Sequence, residues 1–384
     1  MASFDGNKFS GLKEKVKQLK SYYDRGGIPG LERQLGRQLN EWKDVHIKIA
    51  VTGRSGAGKS SFINAIRGIT ADDPGAAEVD VKECTTSVQE YVYPDNNNFR
   101  IYDLPGLGTP HFQKSNYLAD VNFEQYDFFI ILTETRFMNE DLWLAQQVEE
   151  KGKHFYFVRS KIDNDVRSDK RAHPRTHNEA ALMNVIKEDL ESNLKKFSRK
   201  DIFLIDNYDT QSYEFGRLTS KLMQDSNEIK QDVLAFSLTC LSNEVIEEKK
   251  KTLQRRIPLI SYFAGAFANV FNPAKSRFVL KEVQFYGEQF RVDTASLVVG
   301  GVVCNLSEDE KETVAVMMNS HDKTMSEKMR QSLVHVINYI PIVGNIAVGI
   351  KCAKYLEKCL DETAKRAKEI HGLMTESLAK KYTS

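Results

Sequence analysis

The stretch Gly53-Arg54-Ser55-Gly56-Ala57-Gly58-Lys59-Ser60 decides the fold prediction for this chain. It matches the phosphate-loop pattern GxxxxGK[ST], follows an apolar strand-like run at 47–51 and opens a helical pattern. Glycines let successive backbone N–H groups surround a phosphate, and the positive end of the helix dipole faces the same anion. The pattern therefore predicts a nucleotide site. Its binding residues are predicted to be Gly53, Arg54, Ser55, Gly56, Ala57, Gly58, Lys59, Ser60 and Ser61.

The chemistry of two of these side chains is specific. The Lys59 ammonium is expected to neutralise the β- and γ-phosphates, and the Ser60 hydroxyl is expected to ligate Mg²⁺. A second group on the metal side is predicted at Asp103-Leu104-Pro105-Gly106. There Asp103 ends an apolar strand and would hold Mg²⁺ through water, while Gly106 permits close backbone approach to the γ-phosphate.

A later strand end predicts which base is bound. Ser160-Lys161-Ile162-Asp163 has the form [NTS]KxD, with serine where asparagine or threonine is more usual. The Asp163 carboxylate can accept hydrogen bonds from N1–H and N2–H₂ of guanine, a donor pair that adenine lacks. The aliphatic stem of Lys161 is expected to cover the face of the base. The sequence therefore predicts GTP and GDP rather than adenine nucleotides.

The region between the phosphate loop and Asp103 needs a threonine that senses the γ-phosphate. Thr85 and Thr86 are both candidates, since either hydroxyl could reach Mg²⁺. Leu107 stands where Ras-type enzymes place the glutamine that orients the attacking water. Intrinsic hydrolysis is therefore expected to be slow, unless another part of this chain or a partner supplies the missing group.

The wider pattern predicts an α/β fold with a helical frame. Strand-like runs at 45–51, 99–102, 127–133, 155–160 and 202–205 alternate with helical stretches, which indicates a mostly parallel central sheet. We predict an N-terminal helical segment over 1–44, a P-loop GTPase domain over 45–225 and a C-terminal helical domain over 226–384. The two terminal segments are expected to form one all-α domain.

The amino-acid composition and the net charge indicate which kinds of binding partner are expected. The chain has 384 residues, with 54 Lys and Arg against 53 Asp and Glu, a net charge of +1. Nucleic-acid binders usually carry a basic surplus, so no nucleic-acid partner is expected. The first residues lack the apolar core of a signal peptide, and the five cysteines include no CxxC pair. A cytoplasmic location is therefore predicted.

With these motifs in place, the sequence resembles the immunity-related, interferon-inducible GTPases of vertebrates. The resemblance covers most of residues 45–300. Because of Lys59, the chain resembles the GKS-type members of this family. The resemblance is carried by Gly58–Asn64 with Arg67-Gly68, Asp103–Gly106 with Gly108-Thr109, Tyr126–Ile131, Thr135–Phe137, Phe155–Arg159, and Phe285-Tyr286 with Phe290, Val292-Asp293 and Ser296-Leu297.

The resemblance implies a dynamin-like GTPase that converts GTP and water to GDP and phosphate. It implies self-association through the GTPase domain, contacts with related family GTPases, and peripheral association with intracellular membranes such as endoplasmic reticulum, Golgi or vacuoles. The implied role is interferon-induced, cell-autonomous innate immunity. By the same resemblance Thr85 is the switch threonine and a Mg²⁺ ligand, and Glu83 joins Lys59 and Thr85 as a catalytic residue.

Two positions depart from the family pattern. The usual Ser-Asn-Lys loop on the guanine side reads Asp206-Asn207-Tyr208, so Asn207 is still expected to line the base while the lysine is missing. Ala2 stands where some relatives carry the glycine that is myristoylated, so no myristoyl anchor is expected.

Two questions stay open at the level of sequence. The uncharged stretch 333–350 has Pro341 and Gly344 near its centre, and it could be core of the helical domain, a peripheral membrane contact or a spanning segment. The alternative function is a GTP- or GDP-binding regulatory scaffold with negligible hydrolysis, which Leu107 and the altered Asp206-Asn207-Tyr208 loop favour.

Overall fold

The computed structural model describes residues 21, 24–27, 29–30, 32–79, 87–94, 96–106, 115–198, 201–238, 242–266, 277–292 and 344–383. The chain divides into two compact units. One is Trp42–Val245, and the other combines Met1–Glu41 with Ile246–Ser384. The predicted site residues that are described all lie in the first unit. The domain limits drawn from the sequence stay a prediction.

A six-stranded sheet forms the centre of the first unit, with the strand order β2-β3-β1-β4-β5-β6. All neighbouring pairs are parallel except β2 and β3, which confirms the predicted mostly parallel α/β fold. The strands are β1 Ile47–Gly53, β2 Gln89–Tyr93, β3 Asn96–Asp103, β4 Phe128–Thr133, β5 His154–Arg159 and β6 Ile202–Leu204.

The central strands β1 and β4 are mostly apolar and almost entirely buried. All six residues of β4 are buried, as expected for a central parallel strand without a solvent face. Phe155 and Phe157 of β5 pack their rings against Phe197, which helps fix the helical layer on the sheet. The helices of this unit are α1 Lys59–Arg67, α2 Tyr117–Asp120, α3 Asn139–Glu150, α4 Ile162–Ala172, α5 Glu179–Asn193, α6 Phe215–Gln224 and α7 Glu228–Ser237.

The sequence did not predict strand β2. Gln89 and Glu90 are exposed, and Tyr91 and Val92 are only half-buried, so the strand has no apolar alternation. It forms because it pairs with β3 at the edge of the sheet, where only one side of the strand needs a partner. Pairing, not local composition, therefore determines this element.

The described part of the second unit is helical. Arg256 makes a partly buried ion pair of 2.7 Å with Glu282 there. Among the described residues, no helix combines the length and the apolar content needed to cross a membrane. Residues 333–343 of the uncharged stretch lie outside the description, and 344–350 begin the last helix. Residues 32–40 of this unit are helical. The later helices are α8 Asn243–Gln254, which crosses the boundary between the units, then α9 Ile257–Ala266, α10 Arg277–Gln289 and α11 Gly344–Thr383.

Candidate nucleotide-binding site

The phosphate loop lies between β1 and α1, as the motif predicts. Gly58, the last residue before α1, has a φ of 83°, a conformation that residues with a Cβ rarely adopt. A Cβ placed on Gly58 would lie only 2.9 Å from Nδ2 of Asn207. The backbone angle therefore favours glycine at this position, and a Cβ would also force the Asn207 side chain to move.

Lys59 is the first residue of α1 and is largely buried. Its Nζ donates a hydrogen bond of 3.3 Å to the carbonyl oxygen of Arg54, at the opposite end of the loop. The Ala57 N–H also donates to that carbonyl, at 3.2 Å. The loop is thus curled with the ammonium of Lys59 across it, which suits the charge of a bound polyphosphate.

Asp103 lies beside this loop because β3 runs parallel to β1. Val51 of β1 is in register with Asp103, and the Leu104 N–H donates to the Val51 carbonyl at 2.8 Å. The Asp103 side chain is 2% exposed. The chain continues to Gly106, and the Tyr117 hydroxyl holds the Pro105 carbonyl at 2.9 Å. The carboxylate of Asp103 and the hydroxyl of Ser60 are hard oxygen donors of the kind that Mg²⁺ prefers, so these residues fit the predicted metal.

The guanine-side loop joins the phosphate loop through Ser160. This serine is fully buried, and its hydroxyl donates a hydrogen bond of 2.7 Å to the carbonyl oxygen of Ala57. Its backbone N–H donates to the Thr133 carbonyl at 2.9 Å. A serine hydroxyl therefore makes this link at a position where asparagine or threonine is more usual.

Lys161 and Asp163 follow at the start of α4, and both already make ion pairs. Lys161, in the left-handed region with a φ of 58°, places its Nζ 2.5 Å from Oε2 of Glu134. The Asp163 carboxylate accepts a hydrogen bond from Arg167, one helical turn further along. Arg167 thus contacts Oδ2 of the carboxylate that is predicted to bind guanine.

The loop after β6 completes the group of loops around the site. The Asn207 side chain donates from Nδ2 to the Gly58 carbonyl at 3.0 Å, so it contacts the phosphate loop directly. Asp206 accepts the Tyr208 N–H at 2.9 Å. Burial raises the pKa of the Asp206 carboxyl, and the negative charge of nearby Asp163 adds to the rise.

Two acidic residues near the site did not emerge from the sequence analysis. Glu134 pairs with Lys161, and its Oε1 lies 3.6 Å from where a Cβ of Gly56 would be. Asp141, at the start of α3, is buried and accepts the Met138 N–H at 2.9 Å. Glu134 could have been found from its place after β4, because ligands of such sheets bind beyond the carboxyl ends of the strands.

The structure thus brings the phosphate loop, Asp103, Ser160 with Lys161 and Asp163, and Asn207 to one edge of the sheet. Glu83, Thr85, Thr86 and Leu107 lie outside the described residues. Their predicted roles in hydrolysis stay predictions.

The chain is similar to several known proteins. A family model described as interferon-inducible GTPase (IIGP) matches residues 12–373. T-cell-specific guanine nucleotide triphosphate-binding protein 2 of Mus musculus is 30% identical over 357 residues, covering 90% of this chain and 85% of the relative. Interferon-gamma-inducible GTPase 10 of Mus musculus is 30% identical, covering 88% and 83%. The G domain of the T. maritima FeoB iron transporter covers 47% of this chain and 98% of its own, with 17% identity and a TM-score of 0.30.

Proposed function

The chain belongs to the interferon-inducible GTPase family, and we propose that it hydrolyses GTP with Mg²⁺ and self-assembles on intracellular membranes under control of the bound nucleotide. The observation that carries the proposal is the joining of three loops at one edge of the sheet. Ser160 and Asn207 each donate to a carbonyl of the phosphate loop, at 2.7 and 3.0 Å. These two bonds link the phosphate side of the site to the guanine side.

Different residues are expected to bind the phosphates, the guanine base and the metal ion. The loop N–H groups and Lys59 would hold the β- and γ-phosphates, and Asp163 would accept the guanine N–H hydrogens. Ser60 and Asp103, with Thr85, would hold Mg²⁺, which when bound neutralises charge on the phosphates. Leu107 has no hydrogen-bonding side-chain atom to orient water. We therefore assign that role to Glu83, as the family resemblance implies, and expect completion of the site across a dimer of GTPase domains.

Phosphate release measured over a range of protein concentrations tests whether the chain hydrolyses GTP. Specific activity should rise with concentration if two GTPase domains complete each other's sites. Lys59→Ala should abolish both hydrolysis and the GTP-dependent rise in light scattering. Lys195→Ala, which removes an exposed lysine after α5, should change neither. No hydrolysis at high concentration, with GDP binding intact, would instead support the regulatory scaffold.

Guanine selection has a separate test in Asp163→Asn. The substitution replaces a carboxylate acceptor with an amide, so GDP affinity should fall. The new amide N–H₂ can donate to the C2 carbonyl of xanthine, so affinity for xanthosine diphosphate should rise. Equal GDP affinity in the variant and the parent would remove Asp163 from the site.

Membrane association and immune function need cellular and vesicle measurements. With GTP and Mg²⁺ present, the chain should sediment with liposomes, and Lys59→Ala should remain in the supernatant. In interferon-treated cells, the tagged parent should concentrate on intracellular membranes where Lys59→Ala stays diffuse. An identical distribution of the two proteins would contradict nucleotide-controlled membrane assembly.

A further inference from the structure

Tyr208 is the most exposed large apolar side chain among the described residues, with 77% of its surface accessible. It follows Asn207 in the loop after β6, and its backbone is fixed there because its N–H donates to Asp206. Its side chain does not extend freely into solvent. The Tyr208 hydroxyl lies 3.3 Å from Oγ of Ser61, so the ring reaches across to the start of α1.

Tyr208 lies in a loop that contacts the phosphate loop and also runs close to Asp163. Ser61 comes two residues after Lys59, at the helix terminus that faces the phosphates. Within the loop, Asn207 is buried against Gly58, and Asp206 lies close enough to Asp163 for their charges to interact. The loop that carries Tyr208 thus has neighbours on both sides of the predicted site, the phosphate loop and Asp163.

The exposure of the ring indicates what it binds. Covering an exposed aromatic face with a flat apolar surface is favourable in water, and each purine has two such surfaces. Base stacking on an aromatic residue typically contributes roughly five- to hundredfold to affinity.

We propose that the side chain of Tyr208 stacks on the guanine base of bound GTP and GDP. The inference rests on the proposed guanine-nucleotide function. Stacking supplies affinity for the base but does not select guanine, since any purine offers a face. Asp163 supplies the selection, and Tyr208 covers the base that Asp163 has selected.

Calorimetric titration of the full-length chain with GDP separates stacking from a structural contact to Ser61. Tyr208→Ala should weaken GDP binding about tenfold. Tyr208→Phe keeps the ring and loses the hydroxyl, so it should bind within about twofold of the parent. Val185→Ala, which truncates another exposed apolar residue on α5, should bind like the parent. Tyr208→Phe as weak as Tyr208→Ala, or Tyr208→Ala equal to the parent, would overturn the proposal.

A second variant detects the contact itself. Guanine quenches indole fluorescence on stacking, so Tyr208→Trp should lose emission when GDP is added, beyond any change that the parent's own tryptophans show. A Tyr208→Trp protein that binds GDP without this quenching would refute stacking while leaving the proposed function intact. A parent chain that binds no GDP would overturn the proposed function and the stacking together.

Discussion

The hydroxyl of Ser160 donates a hydrogen bond of 2.7 Å to the carbonyl oxygen of Ala57 and thereby joins the guanine-side loop to the phosphate loop. Neither group is accessible to water, since Ser160 is 0% and Ala57 is 1% exposed. Lys161 and Asp163 follow directly from Ser160, so this bond fixes their position relative to the phosphates. The bond is therefore expected to matter both for stability and for nucleotide affinity.

Ser160→Ala should lower both the stability of the chain and its affinity for nucleotide. Removing the hydroxyl leaves the Ala57 carbonyl buried with one acceptor interaction lost, which costs about 1–3 kcal/mol. We expect the midpoint of urea unfolding to fall and GDP binding to weaken about fivefold or more. The control is Ser192→Ala, which removes a 2.7 Å bond to the Asp189 carbonyl at an exposed site. If the two variants behave alike, the connection between the loops has no role in binding.

Gly58→Ala should abolish nucleotide binding. The methyl group would be placed 2.9 Å from Asn207 Nδ2, at a φ of 83°. Gly75→Ala is a matched control, because Gly75 has a φ of 75° but nothing within 4 Å of the added Cβ. Both variants should lose about 1–2 kcal/mol of stability from the left-handed backbone. Only Gly58→Ala should fail to bind GDP in calorimetry, and binding by both proteins would contradict the role of Asn207.

The sequence predicts those parts of the site that depend on local order along the chain. The phosphate loop, Asp103 and the Ser160–Asp163 loop each follow an apolar strand, and parallel pairing brings strand ends to one edge of the sheet. The pairing of Glu134 with Lys161 and of Asn207 with Gly58 joins residues from different loops. Such contacts depend on tertiary packing, which no spacing in the sequence records. Strand β2 was missed for the same reason.

Arg167→Gln should strengthen guanine-nucleotide binding. The guanidinium holds the Asp163 carboxylate that the base requires, so its removal frees the acceptor. Arg167 is 64% exposed, and exposed ion pairs contribute about 0.2–1 kcal/mol, so the gain should be about fivefold at most. The gain should shrink at high salt. Arg171→Gln removes the same charge one turn further along α4 and should leave GDP affinity unchanged. Weaker binding by Arg167→Gln would show that Arg167 assists the site instead.

Asp141 is expected to make folding depend on pH. Burial raises the pKa of its carboxyl from 3.8 to about 6, and the charge of Glu140 adds to the rise. The Met138 N–H and the charges of Arg54 and Lys59 oppose it. A carboxyl with a higher pKa in the folded chain favours folding when protonated. Its contribution is therefore full below about pH 4 and lost as the pH rises through about 6, a change of about 3 kcal/mol.

Asp141→Asn should remove this dependence, because the amide stays neutral and its oxygen can still accept the Met138 N–H. The free energy of unfolding, measured in urea from pH 4 to pH 8, should increase for the variant relative to the parent by about 3 kcal/mol as the pH rises, because only the parent loses stability. Asp120→Asn, at an exposed position on α2, should show no such trend against the parent. A difference between Asp141→Asn and the parent that is constant with pH would mean that the Asp141 carboxyl does not titrate in this range. In that event the charges of Lys59 and Arg54, rather than burial, would dominate its environment.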